Sequence, residues 1–170
     1  DGQYDAMRDG VSGALTATGF LDAKLVTRRV EVNRAEHSAS VQLKWEAGQR
    51  YRYGTIHFKN SQFRDGFLDR YVPFKSGDYF SQSQLLQLQE ALNGADYFAV
   101  VNVIPDTDNA TAGHIDIDVE LAPARRTIYT GGPFFGTDTG AGLRGGIEKR
   151  WINDRGHKWK NELVVAQRLK

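Results

Sequence analysis

The 170-residue sequence contains no cysteine. This absence excludes disulfide scaffolds, thiolate metal sites and cysteine nucleophiles. Long hydrophobic runs are also missing, and without a stretch of about 18 apolar residues the sequence predicts no transmembrane helix. No charge is in excess, since 22 basic side chains stand against 21 acidic ones. The concentrated basic face that is typical of nucleic-acid-binding proteins is therefore not expected.

The stretch 51–121 predicts one α+β module in the order β-α-α-β-β. An apolar strand at 53–58 precedes a first helix, for which Phe63, Phe67, Leu68 and Tyr71 have the spacing of one face. Ser81 and Gln84 form a capping-box pair at the start of a second helix. The buried stripe of that helix is Leu85, Leu88, Leu92 and Ala95.

Two strands close the module, at 98–104 and 114–121, with a polar turn at 105–113 between them. The last strand alternates with period two. Its apolar side consists of Ile115, Ile117, Val119 and Leu121, and its polar side of His114, Asp116, Asp118 and Glu120. One face of the sheet is therefore expected under the helices and the other in water.

The start of the chain repeats the back half of this module. A helix is expected up to a left-handed cap at Gly19, followed by strands at 23–33 and 39–46 and a turn at 34–38. Its apolar face consists of Tyr4, Met7, Val11, Ala14 and Leu15. Phe20 corresponds to Phe98, and Glu46 to Glu120, which predicts two copies of one module.

The first copy lacks its leading strand and first helix. Residues 1–48 should therefore be less stable than 51–123, with Val41, Leu43 and Trp45 partly exposed, or should borrow a strand from a neighbour. The chain begins without a signal peptide and ends within a strand-like run. We therefore expect a piece of a longer protein.

After Pro123 the chain becomes rich in glycine and predicts three further strands. In the middle strand, expected at 141–151, one face consists of Leu143, Gly145, Ile147 and Trp151, and the other of Arg144, Glu148 and Arg150. The third strand repeats this alternation, with apolar residues opposite lysine and glutamate. Both a soluble sandwich and a membrane β-barrel fit this pattern.

Two sets of residues carry a resemblance to a known family. Gly54-x-Ile56-x-Phe58, Phe74-x-x-Gly77-Asp78-x-Phe80 and Tyr97-Phe98 resemble a POTRA (polypeptide-transport-associated) domain. The following segment resembles the barrel start in the TamA branch of the surface-antigen superfamily, the relatives of BamA. The motif residues are Gly136, Thr137, Asp138, Thr139 and Gly140, then Trp151, Asn153, Gly156 and His157.

The resemblance implies a fold class and a domain organisation. The fold is α+β, with POTRA modules of a three-stranded mixed sheet covered by two helices, followed by the first strands of a transmembrane β-barrel. Residues 1–48 are then the back part of a POTRA domain, 49–124 a complete one, and 125–170 about three barrel strands.

The resemblance also implies a function without catalysis or cofactors. The chain would be part of an outer-membrane protein and autotransporter assembly and translocation factor in a Gram-negative cell, with its POTRA part in the periplasm. The implied partners are unfolded outer-membrane or autotransporter polypeptides, a TamB-like periplasm-spanning protein and outer-membrane lipid.

Two strand edges are the candidate sites that the resemblance implies. Client chains would add to the strand of Ala99, Val100, Val101, Asn102, Val103 and Ile104 by β-augmentation. The gate strand of the barrel would be Ile128, Tyr129, Thr130, Gly131, Gly132, Pro133, Phe134 and Phe135. The resemblance also implies that this first barrel strand meets the last one in a weak seam. Because proline has no N–H, we hypothesise that Pro133 weakens this seam.

Other candidate sites have simpler explanations. The glycine run 131–146 lacks the Gly-Lys-Ser/Thr of a phosphate loop. His37, His57, His114 and His157 are scattered, and 153–156 is a tight turn that His157 stabilises. The acidic face of the last module strand is expected in solvent. No catalytic or metal site is predicted.

Three alternatives remain open at this point. Within transport, the parent protein could be a two-partner-secretion polypeptide transporter or a BamA-like general insertase. From another class, it could be a soluble periplasmic adaptor or binding domain. Further amphipathic strands of about ten residues would exclude the adaptor.

Overall fold

The computed structural model describes residues 2–33, 38–137 and 140–166. Outside these ranges lie residues 34–37 of the turn expected at 34–38, including His37, then Asp138 and Thr139, and the final residues 167–170. No helix in the described ranges is long and apolar enough to cross a membrane. The chain groups into two compact units. The first comprises Asp1–His57, Pro73–Gln87 and Ile104–Asp118, and the second Phe58–Val72, Leu88–Val103 and Val119–Lys170.

Helices and strands follow the expected order, except that a 3₁₀ turn stands in place of the first helix expected in the 51–121 module. The elements are α1 (Gly2–Ala17), β1 (Lys24–Asn33), β2 (Ser38–Glu46), β3 (Arg52–Lys59), a 3₁₀ turn (Leu68–Tyr71), α2 (Gln82–Gly94), β4 (Phe98–Thr111), β5 (His114–Pro123), β6 (Thr127–Gly136), β7 (Gly140–Lys149) and β8 (Trp159–Ala166).

The end of α1 confirms the predicted cap. Gly19 has φ +98°, in the left-handed region. The Phe20 amide donates to the Leu15 carbonyl at 2.9 Å and the Gly19 amide to the Thr16 carbonyl at 3.1 Å. These two bonds are the Schellman pattern, which satisfies carbonyls at the end of the helix.

The predicted apolar face of α1 is wrong in part. Met7 and Val11 are 59% and 41% exposed. The helix instead turns Ser12 toward β2, where the Trp45 indole donates to the Ser12 hydroxyl at 3.2 Å. The Arg28 guanidinium lies 4.6 Å from the centre of the Tyr4 ring. Polar contacts with β1 and β2 thus set the rotation of the helix, which hydrophobic spacing alone did not reveal.

The sheet of β1 and β2 is a two-stranded antiparallel pair. Val26, Val30 and Val41 are exposed, and Trp45 is half-buried. The partial exposure of apolar residues that we expected in residues 1–48 is therefore confirmed.

The second sheet has the order β3-β5-β4. In its central strand the predicted alternation is confirmed, since Ile115, Ile117 and Val119 are fully buried. The stripe of α2 is buried as well, from Leu85 to Ala95. The helix begins at Gln82 as expected, with the Gln84 amide donating to the Ser81 carbonyl at 3.1 Å. The Ser81 hydroxyl lies 2.8 Å from the Ser83 hydroxyl. This contact takes the place of the bond from the Gln84 amide to the Ser81 hydroxyl that a capping box would contain.

The predicted first helix of this module is confirmed only in part, because it forms as the 3₁₀ turn Leu68–Tyr71 and the residues before it are irregular. Asn60 and Gly66 have φ values of +61° and +74°, which no continuous right-handed helix contains. Phe63 and Phe67 are nevertheless buried, with ring centres 4.4 Å apart. Their spacing thus reflected burial in an irregular segment.

The polar turn predicted at 105–113 is also wrong. Strand β4 continues to Thr111, and only Ala112 and Gly113 form the turn. Both have positive φ, +50° and +77°, as a two-residue type I′ hairpin requires. Pairing in the hairpin therefore overrode the polar composition of this stretch.

Strands β6, β7 and β8 form an antiparallel meander. The pairs Leu143↔Val165 and Gly145↔Leu163 place the apolar residues of both strands on one face, as predicted. The expected extension of the middle strand to Trp151 is wrong, because β7 ends at Lys149 and the 151–157 segment turns back toward β8. Tyr129 joins this face opposite Ile147. We call it the apolar sheet face, consisting of Tyr129, Phe135, Leu143, Ile147, Leu163 and Val165. All six are exposed, from 39% for Ile147 to 75% for Tyr129 and Phe135.

Candidate client-binding edge and strand hairpin

Strand β4 lies at one edge of the β3-β5-β4 sheet. Within the described part of the chain, no strand therefore pairs with its outer side. Val100 and Ile104 are 47% and 46% exposed, whereas Val101 is buried and anchors the strand. An edge strand presents backbone groups to which an extended chain can pair. The stretch proposed from the sequence, Ala99 to Ile104, thus lies on an edge strand. Within it, the Val101 carbonyl accepts a bond from Gln89 Nε2 at 3.1 Å.

All eight residues of the expected gate strand lie in β6. The strand pairs with β7 from Thr127↔Lys149 to Gly136↔Gly140. Its other side has no partner among the described strands, because β6 lies at the edge of the meander. Pro133 is opposite Leu143 within this pairing.

The glycine of β7 opposite Phe134 has a packing role. A Cβ atom on Gly142 would lie 2.6 Å from Phe134 Cε1 and 2.8 Å from the Val165 carbonyl oxygen. The Arg144 guanidinium lies 5.3 Å from the centre of the Phe134 ring. Gly142 therefore makes room for an aromatic ring on the charged face, where Glu148 pairs with Lys160.

The first half of the barrel-like motif lies where β6 turns into β7. Gly136 and Gly140 pair with each other, and Gly140 has φ +71°. Thr137 lies in the turn. The conformation of Gly140 explains why glycine occupies that position.

The second half of the motif builds a tight turn before β8, as predicted. The Asn153 side-chain oxygen accepts bonds from the amides of Arg155 and His157, at 3.2 and 3.3 Å. Asn153 Nδ2 lies 2.8 Å from His157 Nδ1, and the Ile152 amide donates to the His157 carbonyl at 2.7 Å. Gly156 has φ +69°. We call residues 151–157 the 151–157 turn.

Sequence reasoning missed what this turn contacts. The Tyr97 hydroxyl donates to the Gly156 carbonyl at 2.7 Å. The Arg64 amide donates to the Asp154 carbonyl at 3.3 Å. We call the surrounding rings the aromatic cluster, consisting of Phe63, Phe67, Tyr97, Phe98 and Trp151. Phe63 is central to it, with ring-centre distances of 4.4 to 6.3 Å to the other four.

The Tyr97 hydroxyl is held in its donating form. Burial raises its pKa above the ordinary tyrosine value, the neighbouring Tyr71 raises it further, and Arg70 lowers it. The neutral hydroxyl therefore persists at neutral pH and can donate to Gly156.

His114 and Asp116 have structural partners. His114 Nδ1 lies 3.2 Å from the Ala112 carbonyl in the hairpin turn. Asp116 accepts a bond from the Thr55 amide at 2.6 Å, and Gly54 leaves room for its carboxylate. In the described ranges, no group of three or more metal-binding side chains comes together.

Comparison with family models identifies a domain in the middle of the chain. Residues 51–123 match the POTRA family, described as a surface antigen variable number repeat. The chain therefore contains a POTRA domain, whose sheet is the β3-β5-β4 sheet.

Solved structures share the fold over most of the chain. BamA from Haemophilus ducreyi, in a form lacking POTRA domains 1–3, superposes with TM-score 0.78 and 18% identity over 98% of this chain. CdiB from Escherichia coli superposes with TM-score 0.56 and 10% identity over 93% of the chain. CdiB from Acinetobacter baumannii superposes with TM-score 0.50 and 18% identity over 89% of the chain. The chain covers 31%, 28% and 27% of these proteins. At such identities the likeness shows the fold alone.

Proposed function

We propose that the chain is the periplasmic and barrel-start part of an outer-membrane protein and autotransporter assembly and translocation factor of the TamA type. One observation carries this proposal. The POTRA domain, whose last strand ends at Pro123, leads directly into a three-stranded meander that begins at Thr127 and has an exposed apolar face. A client-handling module is thus joined to strands of membrane-spanning length.

The apolar sheet face is the surface that would meet lipid. Strands that cross a membrane are about 9–11 residues long and alternate between lipid-facing apolar and inward-facing polar residues. β6 and β7 have ten residues each and β8 has eight, and Arg144, Glu148, Lys160 and Glu162 line the opposite face. We therefore assign 125–170 to the first strands of an outer-membrane barrel, and the POTRA part to the periplasm of a Gram-negative cell.

The remaining domain assignment follows from the repeat. Residues 49–124 contain the complete POTRA domain, and 1–48 are the back part of a preceding one. Their helix and antiparallel strand pair repeat the order of α2, β4 and β5.

The mechanism is pairing of backbone with backbone. An unfolded client adds as a strand to β4, and its N–H and C=O groups remain bonded without demand on its sequence. At β6 the client would pair again as it enters lipid, where unpaired backbone groups cost several kcal/mol each. Nothing in this mechanism needs a cofactor or a catalytic residue.

The partners follow from this assignment. They are unfolded outer-membrane or autotransporter polypeptides at the two edges, outer-membrane lipid at the apolar sheet face, and a TamB-like periplasm-spanning protein by resemblance to TamA. The fold similarity to BamA over 98% of the chain supports a second candidate, a BamA-like general insertase.

Photo-cross-linking at the two edges of the POTRA sheet tests the proposal. A photoreactive residue replaces Val100 on β4, and in a control protein it replaces His57 on β3, the opposite edge. Both side chains are exposed. We expect unfolded outer-membrane polypeptides to be captured in cells from position 100 and not from position 57. Equal capture from both positions, or none, would contradict binding by augmentation of β4.

A further inference from the structure

Tyr97 lies between the end of α2 and the start of β4. Its backbone carbonyl accepts a bond from the Ala124 amide at 3.0 Å, and another from Gln62 Nε2 at 3.4 Å. Ala124 is the first residue after β5. The end of the helix is thereby bonded to the exit of the domain.

The same joint occurs in the first copy of the repeat. The Gly19 carbonyl, after α1, accepts a bond from the Tyr51 amide at 2.8 Å. Tyr51 follows the last strand of that copy, β2, as Ala124 follows β5. In each copy, the segment that follows the last strand therefore bonds to the equivalent carbonyl. After the first copy this segment leads to the POTRA domain, and after the second copy it leads to the meander.

The two joints differ in their side chains. At position 19 there is no room for one, since a Cβ atom would lie 3.0 Å from the Phe80 carbonyl oxygen. At position 97 the tyrosine ring belongs to the aromatic cluster, and its hydroxyl donates to the Gly156 carbonyl. Tyr97 therefore adds to the repeated joint a second bond, to the 151–157 turn.

Gly156 fits this position because it has no side chain. A Cβ atom there would lie 2.7 Å from Phe67 Cε2 and 3.0 Å from the Tyr97 hydroxyl oxygen. Both distances are shorter than van der Waals contact. Any side chain at 156 would push the turn away from the aromatic cluster.

Further bonds tie the 151–157 turn to the start of β6. The Arg126 guanidinium donates to the Trp151 carbonyl at 3.0 Å and also to the Ile152 carbonyl. The Arg150 amide donates to the Arg126 carbonyl at 2.9 Å. Lys158 and Asp96 form an ion pair at 3.8 Å beside Tyr97. A closed loop of bonds thus runs from Tyr97 through Ala124, Arg126 and the turn back to Tyr97.

We propose that Tyr97 is a positioning residue that fixes the β6–β8 meander on the POTRA domain, its carbonyl holding the linker before β6 through Ala124 and its hydroxyl holding the 151–157 turn through Gly156. The edge strand β6 is thereby held in one place relative to the aromatic cluster. Its role in presenting β6 to clients rests on the proposed function, whereas the attachment itself does not.

Spin labels can measure this attachment without any client. Because the sequence has no cysteine, Asn93→Cys and Arg155→Cys give two unique labelling sites, both exposed. They report the distance between the end of α2 and the 151–157 turn by pulsed electron paramagnetic resonance in the intact chain. We expect one narrow distance distribution.

Two variants test the attachment and two matched controls exclude a general loss of stability. Gly156→Asn keeps the left-handed backbone accessible but inserts a side chain against Phe67. Gly77→Asn makes the same change at φ +89°, where nothing lies within 4 Å. Tyr97→Phe removes the hydroxyl that binds the turn. Tyr53→Phe removes a buried hydroxyl that instead donates to the Ser81 carbonyl and accepts from the Ser81 amide, away from the turn.

We expect Gly156→Asn to broaden the distance distribution and add a longer distance. Tyr97→Phe should shift the attached-to-detached ratio by about fivefold, the factor that one net hydrogen bond contributes. Both controls should retain the narrow distribution. A narrow distribution in both test variants, or equal broadening in the controls, would overturn the proposal. Since no client is present, neither result depends on the cross-linking test of function.

Discussion

Leu86 and Leu88 lie two residues apart in α2, in opposite environments. Leu88 is fully buried, whereas Leu86 is 54% exposed. Helical spacing in the sequence was sufficient to assign the buried one, because a stripe at three- and four-residue intervals faces the core. Leu88→Ala should reduce the free energy of unfolding by about 2–5 kcal/mol. Leu86→Ala should change it by less than about 0.5 kcal/mol. Denaturant unfolding of the two variants measures both values, and equal losses would contradict the assigned core.

Tyr53 gives a residue-scale dependence on alkaline pH. Burial raises its pKa above the ordinary tyrosine value, the Ser81 amide, which donates to the Tyr53 hydroxyl oxygen at 3.0 Å, lowers it, and the nearby Asp78 raises it, with a net increase. The folded state therefore favours the neutral hydroxyl. Its contribution to stability is complete below the unfolded pKa of about 10 and is lost as the pH rises through the folded pKa.

Tyr53→Phe should accordingly flatten the fall in the free energy of unfolding above pH 10. The control Tyr129→Phe removes a tyrosine that is 75% exposed. Unfolding curves measured from pH 8 to 11 make the comparison. If the two variants showed the same alkaline slope as the unsubstituted chain, buried Tyr53 would not be the source.

Other single residues show where sequence reasoning stops. Gly19 was predicted as a cap because a helix end is local. The contact of Gly156 with Tyr97 joins residues 59 positions apart, and no local pattern encodes it. The signal that existed was the Trp-x-Asn-x-x-Gly spacing, which predicted the turn but not its partner.

At the scale of elements, hydrophobic periodicity predicted the structure correctly where one face of a regular strand is buried. It failed where buried residues lie in an irregular segment and where a regular strand is polar. β5 alternates and is central in its sheet, so its faces were predicted correctly. Phe63 and Phe67 are buried although their segment is irregular, and their spacing in the sequence is also that of one helical face. Residues 105–111 are polar yet paired in β4, because the I′ turn at Ala112-Gly113 fixes the hairpin.

The two copies of the repeat should differ in local stability. The strands of the first copy expose Val26, Val30 and Val41, while the central strand of the POTRA domain buries Ile115 and Ile117 completely. Amide hydrogen exchange should therefore be faster in β1 and β2 than in β5, because local opening costs less where little apolar surface is buried. Equal protection of the two regions, measured by mass spectrometry on the intact chain, would contradict this expectation.

Pro133 belongs to the scale of the β6 strand. Proline cannot donate a backbone hydrogen bond, so at an edge it reduces pairing with a further strand. Pro133→Val in the protein with its complete barrel should tighten the seam at β6. Disulfide trapping across the seam should then report less opening, whereas Pro123→Val, outside β6, should leave it unchanged. Identical opening in all three proteins would reject the hypothesis.

At the scale of the whole molecule, the proposed function uses the two strand edges and the apolar sheet face together. The sequence motifs predicted a POTRA domain followed by barrel strands. The family match at 51–123 confirms the domain, and the likeness to BamA confirms a shared fold. Motifs could not predict the attachment of the meander to the aromatic cluster, which depends on distant residues meeting in the folded chain.

The most direct test of function is photo-cross-linking from β6 in cells. The probe replaces Phe134, in the edge strand, and in a control replaces Leu143, in the central strand β7, where both sides are already paired. We expect several nascent outer-membrane or autotransporter barrels to be captured from position 134 and none from 143. Capture of a single secreted polypeptide would indicate dedicated export instead. No capture from position 134, with the protein soluble after fractionation, would contradict the account.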